Sequence, residues 1–257
     1  MCAATVQFRV LICATVTVSQ IDVVIPAYCE EKTIAEALQR LDDCLRRDGL
    51  IPRLIVVVDG PGDETAARAR QTQLSNLTVI ELDRNRGKGY AIRTGLKHVT
   101  SDYCAYIDGD LDLHPDSLVA GFSLLRTARS SVACVAGSKH HPSSVITYPI
   151  SRRLMSHVYR RVVKWSLRLR VTDTQTGLKI FRTSAIEEIL GVLTEDGFAI
   201  DLEILSLLLD YGYDIWEVPV VLDYSFTSTV SVRSATDAFL AVWRVRKKLR
   251  GRQRLTD

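Results

Sequence analysis

From Ile21 onward, short β-branched runs alternate with stretches whose apolar residues recur at helical spacing. Ile21 to Ile25 is such a run, closed by Pro26, and Glu30 to Cys44 then places Ile34, Ala37, Leu38 and Leu41 on one helical face. The pattern repeats as strand Leu54–Val58 and helix Glu64–Gln73, strand Leu77–Leu82 and helix Gly89–Val99, then strand Tyr103–Ile107. Strands separated by helices at this rhythm predict a parallel α/β sheet with helices on both faces, because each crossover to a parallel neighbour lays a helix on the sheet.

Past Asp110 the rhythm loosens. The pattern predicts a helix from Pro115 to Ala128, a strand Val132–Ala136, a polar loop His140–Pro149 and a basic helix Ser151–Leu169. Helices Thr183–Leu193 and Gly197–Asp210 follow, then a strand Ile215–Val221 that Pro219 assigns to an edge, and a basic amphipathic helix Ala235–Leu249. No repeat or low-complexity linker divides the chain. We expect an N-terminal extension over residues 1–20, one domain over 21–232, and a basic helix and tail over 233–257 packed on or beside it.

Ligands of such sheets bind beyond the carboxyl ends of the strands. Pro26-Ala27-Tyr28-Cys29-Glu30, Asp59-Gly60 and Asp108-Gly109-Asp110 each follow a predicted strand directly, so one rim gathers them. Two carboxylates one residue apart at a strand end suit a hard divalent cation that keeps several waters, Mg²⁺ or Mn²⁺, on the phosphates of a nucleotide. Asp112 is a further candidate ligand, or an acid that merely precedes a helix. Arg86-Gly87-Lys88-Gly89 opens the third helix, where free amides and a lysine can meet phosphate. It lacks P-loop spacing, so no ATPase site is read there. Asp173 either orients a basic residue, binds a sugar hydroxyl, acts as a base, or simply forms a turn before Thr174. Asp196, Asp201 and Glu203 are weaker candidates for sugar contacts.

Charge adds a second surface. Seven Lys/Arg and no acids lie between Ser151 and Val171, and seven more with no acids between Trp243 and Arg254, leaving 19 basic against 30 acidic residues elsewhere. Such segregation points to an anionic partner, with membrane lipid favoured because the basic stretches lack a nucleic-acid reader motif or stacking array. The bland alternative is a pair of solvated helix faces. The six cysteines show no Cys-x-x-Cys or zinc spacing, Cys104 and Cys134 sit in apolar runs, and reduced thiols in a cytosolic setting are expected. No stretch reaches the roughly 18 to 20 apolar residues of a membrane span.

These segments, in this order, resemble family-2 glycosyltransferases: Ile25-Pro26-Ala27-Tyr28-Cys29-Glu30-Glu31, Val57-Val58-Asp59-Gly60, Asn85-Arg86-Gly87-Lys88-Gly89 with Arg93-Thr94-Gly95, and Ile107-Asp108-Gly109-Asp110. Gly137-Ser138-Lys139, Arg152-Arg153-Leu154-Met155-Ser156 and Asp173-Thr174-Gln175-Thr176-Gly177-Leu178-Lys179-Ile180-Phe181 resemble its dolichyl/polyprenyl-phosphate sugar synthase branch, typified by dolichol-phosphate mannose synthase. The resemblance implies a GT-A fold with a mostly parallel sheet, a nucleotide-sugar donor of the GDP-mannose or UDP-glucose type, a divalent metal and a polyprenyl or dolichyl phosphate acceptor. It implies that Pro26, Tyr28, Glu30 and Asp59 surround the nucleoside, that Lys88 assists there or at the diphosphate, and that Asp108 and Asp110 serve the metal-diphosphate. Lys139, Arg152 and Arg153 would meet acceptor phosphate. Cys29 stands where relatives usually carry Asn, and the hydrophobic C-terminal spans of some relatives are absent, so membrane contact would be peripheral and on the cytosolic face.

The expectation is an inverting, metal-dependent hexosyltransferase with catalytic residues Asp108, Asp110, Asp173 and Arg153. A lipid monophosphate is already anionic near neutral pH and attacks an anomeric carbon with little or no deprotonation, whereas a sugar hydroxyl needs a positioned base. A glycosyltransferase using a hydroxyl acceptor, and a non-catalytic nucleotide- or membrane-binding protein, remain the alternatives.

Overall fold

The structure, a computed structural model, describes residues 19–110, 112–145, 169, 171–222 and 242–248. The predicted basic helix from Ser151, with Arg152 and Arg153, the N-terminal residues 1–18 and most of the segment from Ala235 lie outside the described residues.

The alternation read from the sequence is found, with one strand added that the pattern does not predict, Leu178–Arg182. Strands β1 (Ser19–Ala27), β2 (Leu50–Val58), β3 (Leu77–Glu81), β4 (Tyr103–Ile107), β5 (Val132–Ser138), β6 (Leu178–Arg182) and β7 (Asp214–Pro219) form one sheet in the order β3-β2-β1-β4-β6-β5-β7. Helices α1 (Ile34–Arg47), α2 (Thr65–Gln71), α3 (Lys88–Leu96), α4 (Asp116–Thr127), α5 (Thr183–Leu190) and α6 (Ile200–Asp210) connect or follow them, and residues 242–248 are helical again. β2 begins four residues before the expected Leu54, because Ile51-Pro52-Arg53 pairs with Gln20-Ile21-Asp22. β7 lies at the sheet edge, as Pro219 predicted.

Alternate side chains feed two cores. Val23 and Ile25 of β1 and Leu54, Val56 and Val58 of β2 pack under α1, α2 and α4 with Leu41, Ala69 and Phe122. Val24, Ile55 and Val57 face the other way, toward α3, α5, α6 and Val242 and Val245 of the last helix. Both faces of the sheet are therefore dry, which is why its strands read as continuous apolar runs. Cys104 and Cys134 are fully buried among these residues, as expected.

The sheet is mostly parallel, as expected, with one strand reversed. β6 runs antiparallel to both β4 and β5, while the other paired strands run parallel. The chain leaves β1 in opposite directions for β2 and β4, placing a topological switch point between the ends of β1 and β4. Because β6 is reversed, its amino end opens onto that same rim.

Candidate active site

The rim collects residues that are distant in sequence. β1 ends at Ala27, β4 at Ile107 and β5 at Ser138, and reversed β6 begins at Leu178, so Tyr28 to Glu30, Asp108 to Asp112, Lys139 and Asp173 to Gly177 become neighbours. Asp108 is held from two sides. Its Oδ1 lies 2.6 Å from Lys88 Nζ, and its backbone N–H donates to the Gly177 carbonyl at 3.0 Å. A Cβ on Gly177 would fall 1.8 Å from Asp108 Oδ2, so the carboxylate occupies space that only glycine leaves.

Four acids crowd this point. Burial, and then the charge of Asp108, push Asp110 above the usual carboxylate range. Asp112 is pushed up to about 6 by burial and by Asp110, and its N–H donates to Asp110 Oδ1 at 3.2 Å. Glu30 is raised too, by burial first and then by Asp110, Asp63 and Asp108, while Thr33, whose hydroxyl donates to Glu30 Oε2 at 2.7 Å, opposes the rise. Lys139 pulls Asp110 and Asp112 the other way. Burial disfavours the Lys88 ammonium, yet Asp108, Asp201 and Asp110 outweigh that and hold it at about 12. The like-charged carboxylates kept together here against their own repulsion, Asp108 and Asp110 among them, offer hard oxygen donors, the ligand type that Mg²⁺ and Mn²⁺ take.

Among the described residues, the three ligand atoms that lie within 4.8 Å of one another belong to a different trio, Cys44, Asp48 and Asp116. There the charge is already answered. Arg47 pairs with Asp116 at 2.7 Å and Asp48 at 3.2 Å, and the Cys44 thiol, pushed up to about 12 by burial and by Asp116, donates to that carboxylate.

Four of the amides expected to be free at the start of α3 are taken. Asp59 Oδ1 accepts the Arg86 N–H at 2.7 Å and Oδ2 the Gly87 N–H at 2.8 Å, while the Asp196 carbonyl accepts from Gly89 at 2.7 Å and Tyr90 at 3.1 Å. Gly87 makes this closure possible: its φ is +99°, and a Cβ there would sit 2.4 Å from the Asp196 oxygen. Lys88 is thus the cation this turn presents to the rim, and buried Asp59 shapes the turn that presents it. Pro26 is buried in β1, whereas Tyr28 is half exposed beside Gly62.

Asp173 is a turn former. Its carboxylate accepts the N–H groups of Lys139, Gln175 and Thr176 at 3.0, 3.0 and 3.2 Å and the Thr176 hydroxyl at 2.5 Å. It therefore ties the start of the Asp173–Gly177 strap to the end of β5. Asp201 and Glu203 are corrected as sugar contacts because both are buried in structural pairs, Asp201 with Lys179 and Glu203 with Lys248. Asp196 pairs with Arg93. Arg152 and Arg153 lie outside the described residues.

Two features escaped the sequence reading. Gly177 was read only as part of a longer motif, though a glycine entering a strand beside an Asp-Gly-Asp rim marks a close backbone approach. Phe198, 75% exposed, puts its ring 6.0 Å from Lys88 Nζ, and an exposed aromatic in the acidic turn before α6 was its only signal.

The family model for Glycosyl transferase family 2 matches residues 22–190. A human dolichyl-phosphate beta-glucosyltransferase is 31% identical over 216 residues, covering 78% of this chain and 66% of that protein. The chain thus spans just under two thirds of the length of the curated glucosyltransferases it matches. Among solved structures, glucosyl-3-phosphoglycerate synthase from Mycobacterium tuberculosis, crystallised with Mn²⁺, UDP and glucosyl-3-phosphoglycerate, superposes with a TM-score of 0.68 at 21% identity, covering 91% of this chain and 80% of that one. Mannosyl-3-phosphoglycerate synthase from Rubrobacter xylanophilus gives 0.71 at 19% identity, covering 93% and 76%. At these identities the two share its fold, an α/β GT-A architecture.

Proposed function

We infer the activity from one premise: the chain belongs to glycosyl transferase family 2. It transfers a glucosyl group from a nucleotide sugar, UDP-glucose in the reading we favour, to dolichyl or polyprenyl phosphate, with inversion at the anomeric carbon. The observation that carries the proposal is the Lys88–Asp108 pair seated among Glu30, Asp110 and Asp112 at the switch point, where a family-2 chain must receive a diphosphate. The glucosyl and dolichyl choices follow from the 31%-identical relative.

Asp108 and Asp110 would hold the dication, which when bound supplies positive charge to the departing nucleoside diphosphate. Lys88, kept protonated by its acidic neighbours, adds a fixed charge on the same side. Tyr28 and Glu30 border the nucleoside, with Asp59 setting the turn beside it. On the acceptor side Lys139 stands at the end of β5, and Arg152 and Arg153 are the cations we assign to the lipid phosphate. A phosphate acceptor needs no strong base, and this agrees with Asp173 being fully engaged by four donors.

The last helix supports a peripheral membrane setting. Val242 and Val245 anchor it to the core, Trp243 is 62% exposed, and Lys247 Nζ lies 5.6 Å from the Trp243 ring centre. An exposed indole beside cations suits the headgroup layer of an anionic leaflet. Among the described residues no helix is long and apolar enough to cross a membrane.

The test incubates the full chain with Mn²⁺, dolichyl phosphate and either UDP-glucose or GDP-mannose, and follows sugar into the organic phase. Lipid-linked glucose from the uridine donor is the expected product. Mannose transfer alone would move the donor assignment, transfer only to soluble hydroxyl acceptors would overturn the lipid reading, and liposome flotation with no transfer would leave a membrane-binding protein.

A further inference from the structure

We propose that Lys179, Asp201 and Tyr106 form a positioning unit beneath the rim that seats the Asp173–Gly177 strap against Asp108; its catalytic consequence rests on the transferase reading above. Lys179 and Tyr106 are direct partners in the β6–β4 ladder, so both side chains leave the sheet on the face that α6 covers. Lys179 and Tyr106 are 0% exposed and Asp201 2%. Lys179 Nζ lies 2.7 Å from Asp201 Oδ1, and the Tyr106 hydroxyl donates to the same oxygen at 2.5 Å.

Stability alone does not account for this pair. Removing two charges from water is costly, and apolar residues of similar volume commonly serve a core as well or better. What an ammonium does here and a methyl group cannot is donate a second hydrogen bond. Lys179 Nζ reaches back to the Thr176 carbonyl at 2.5 Å. The next carbonyl, that of Gly177, accepts the Asp108 N–H, and the Gly177 Cα faces the Asp108 carboxylate.

The strap is thereby fixed at both ends. The Asp173 carboxylate gathers its first residues and Lys179 fixes its last turn, leaving Gly177 as the wall against which Asp108 rests. Asp201, which orients Lys179, also acts electrostatically on Lys88 from below, so one helix residue faces both cations under the site. None of the three is placed to touch substrate. They act through Asp108 and are positioning residues.

The test replaces both charges by apolar groups of similar size, Lys179→Met with Asp201→Leu, and reads amide hydrogen exchange together with steady-state kinetics. In the folded double variant the Asp108 amide should exchange at least about tenfold faster while Ile55 to Val57 in β2 keep parental protection. Turnover should fall by about tenfold or more with the donor KM within about threefold, because a displaced carboxylate harms the transition state more than ground-state binding. Asp201→Asn, which keeps the side-chain shape, should move both readouts in the same direction, and it carries the test if the double variant does not fold. Unchanged Asp108 protection in a folded variant overturns the positioning unit whatever the turnover. Faster exchange in a protein whose parent transfers no sugar would leave the unit standing and sink the transferase reading.

Discussion

Gly177→Ala probes the site with a single methyl group. The added Cβ would lie 1.8 Å from Asp108 Oδ2, 2.2 Å from Cγ and 2.6 Å from Oδ1. Ordinary contact between such atoms needs about 3.5 Å, so the carboxylate must retreat by roughly 1.7 Å and abandon its present place beside Lys88. The obstructing atoms are the free end of a short side chain, so the fold can yield locally at a cost of about 1 kcal/mol. Catalysis has less room to adapt. A misplacement of about 1 Å in a reacting constellation costs on the order of 10²-fold, or about 2.7 kcal/mol of barrier. We expect a folded protein with turnover down by about that factor and weakened Mn²⁺ binding, measured by transfer of glucose to dolichyl phosphate and by the free-ion electron paramagnetic signal. A variant of parental turnover and parental Mn²⁺ affinity would refute the placement of Asp108 at the reacting centre.

Other substitutions separate chemistry from scaffolding. Asp108→Asn keeps the side-chain size and should lower turnover by about 10²- to 10³-fold at unchanged thermal stability, and full activity would defeat the assignment. Asp173→Asn cannot accept all four donors and should cost about 1 to 3 kcal/mol of stability in denaturant unfolding; a stable variant that lost only turnover would restore Asp173 as a base. Asp112 titrates near 6 in the folded chain against an ordinary value of 3.8, so the folded state holds the extra proton between these limits and this group's contribution to stability declines as pH rises through that window. Asp112→Asn should therefore raise the melting temperature of the metal-free protein more at pH 7 than at pH 4, and an equal effect at both would contradict the shift. Mn²⁺ affinity of the parent should climb over the same window as the protons leave, which calorimetry at pH 5 and pH 7 would show or deny.

Much of the part of the rim built by β1 to β4 was legible in the sequence because its elements are local. β1, β2 and β4 are largely buried apolar runs followed closely by their polar rim residues, and the helices between the strands show their periodicity within a dozen residues. The structure departs from that reading where long-range pairing decides the outcome. β6 carries Lys179 in the middle of its apolar run, and its neutralising partner stands on a helix 22 residues later, so a hydrophobic reading had no reason to place that residue in a core strand. The start of α3 reads as an anion cradle by itself. Its amides are taken by Asp59, 27 residues from Arg86, and by the Asp196 carbonyl on the approach to α6, neither of which any local pattern announces. For Asp173 the sequence leaves a turn and a catalytic carboxylate equally open, and the four donors around it, one of them on Lys139, come together only in the fold.

Reversing a single strand gives this sheet a segment that departs and comes back on one side. β5 ends at Ser138 and β6 begins at Leu178; between them Val145 makes a lone bridge to Val221, and the Asp173–Lys139 hydrogen bond draws the two ends of the excursion together. Its length is consequently uncoupled from the registers of the paired strands. Such a domain can acquire, shorten or exchange that excursion, and with it whatever the excursion recognises, while the half to which we assign the diphosphate stays as it is. A new clientele would require no redesign of the engine.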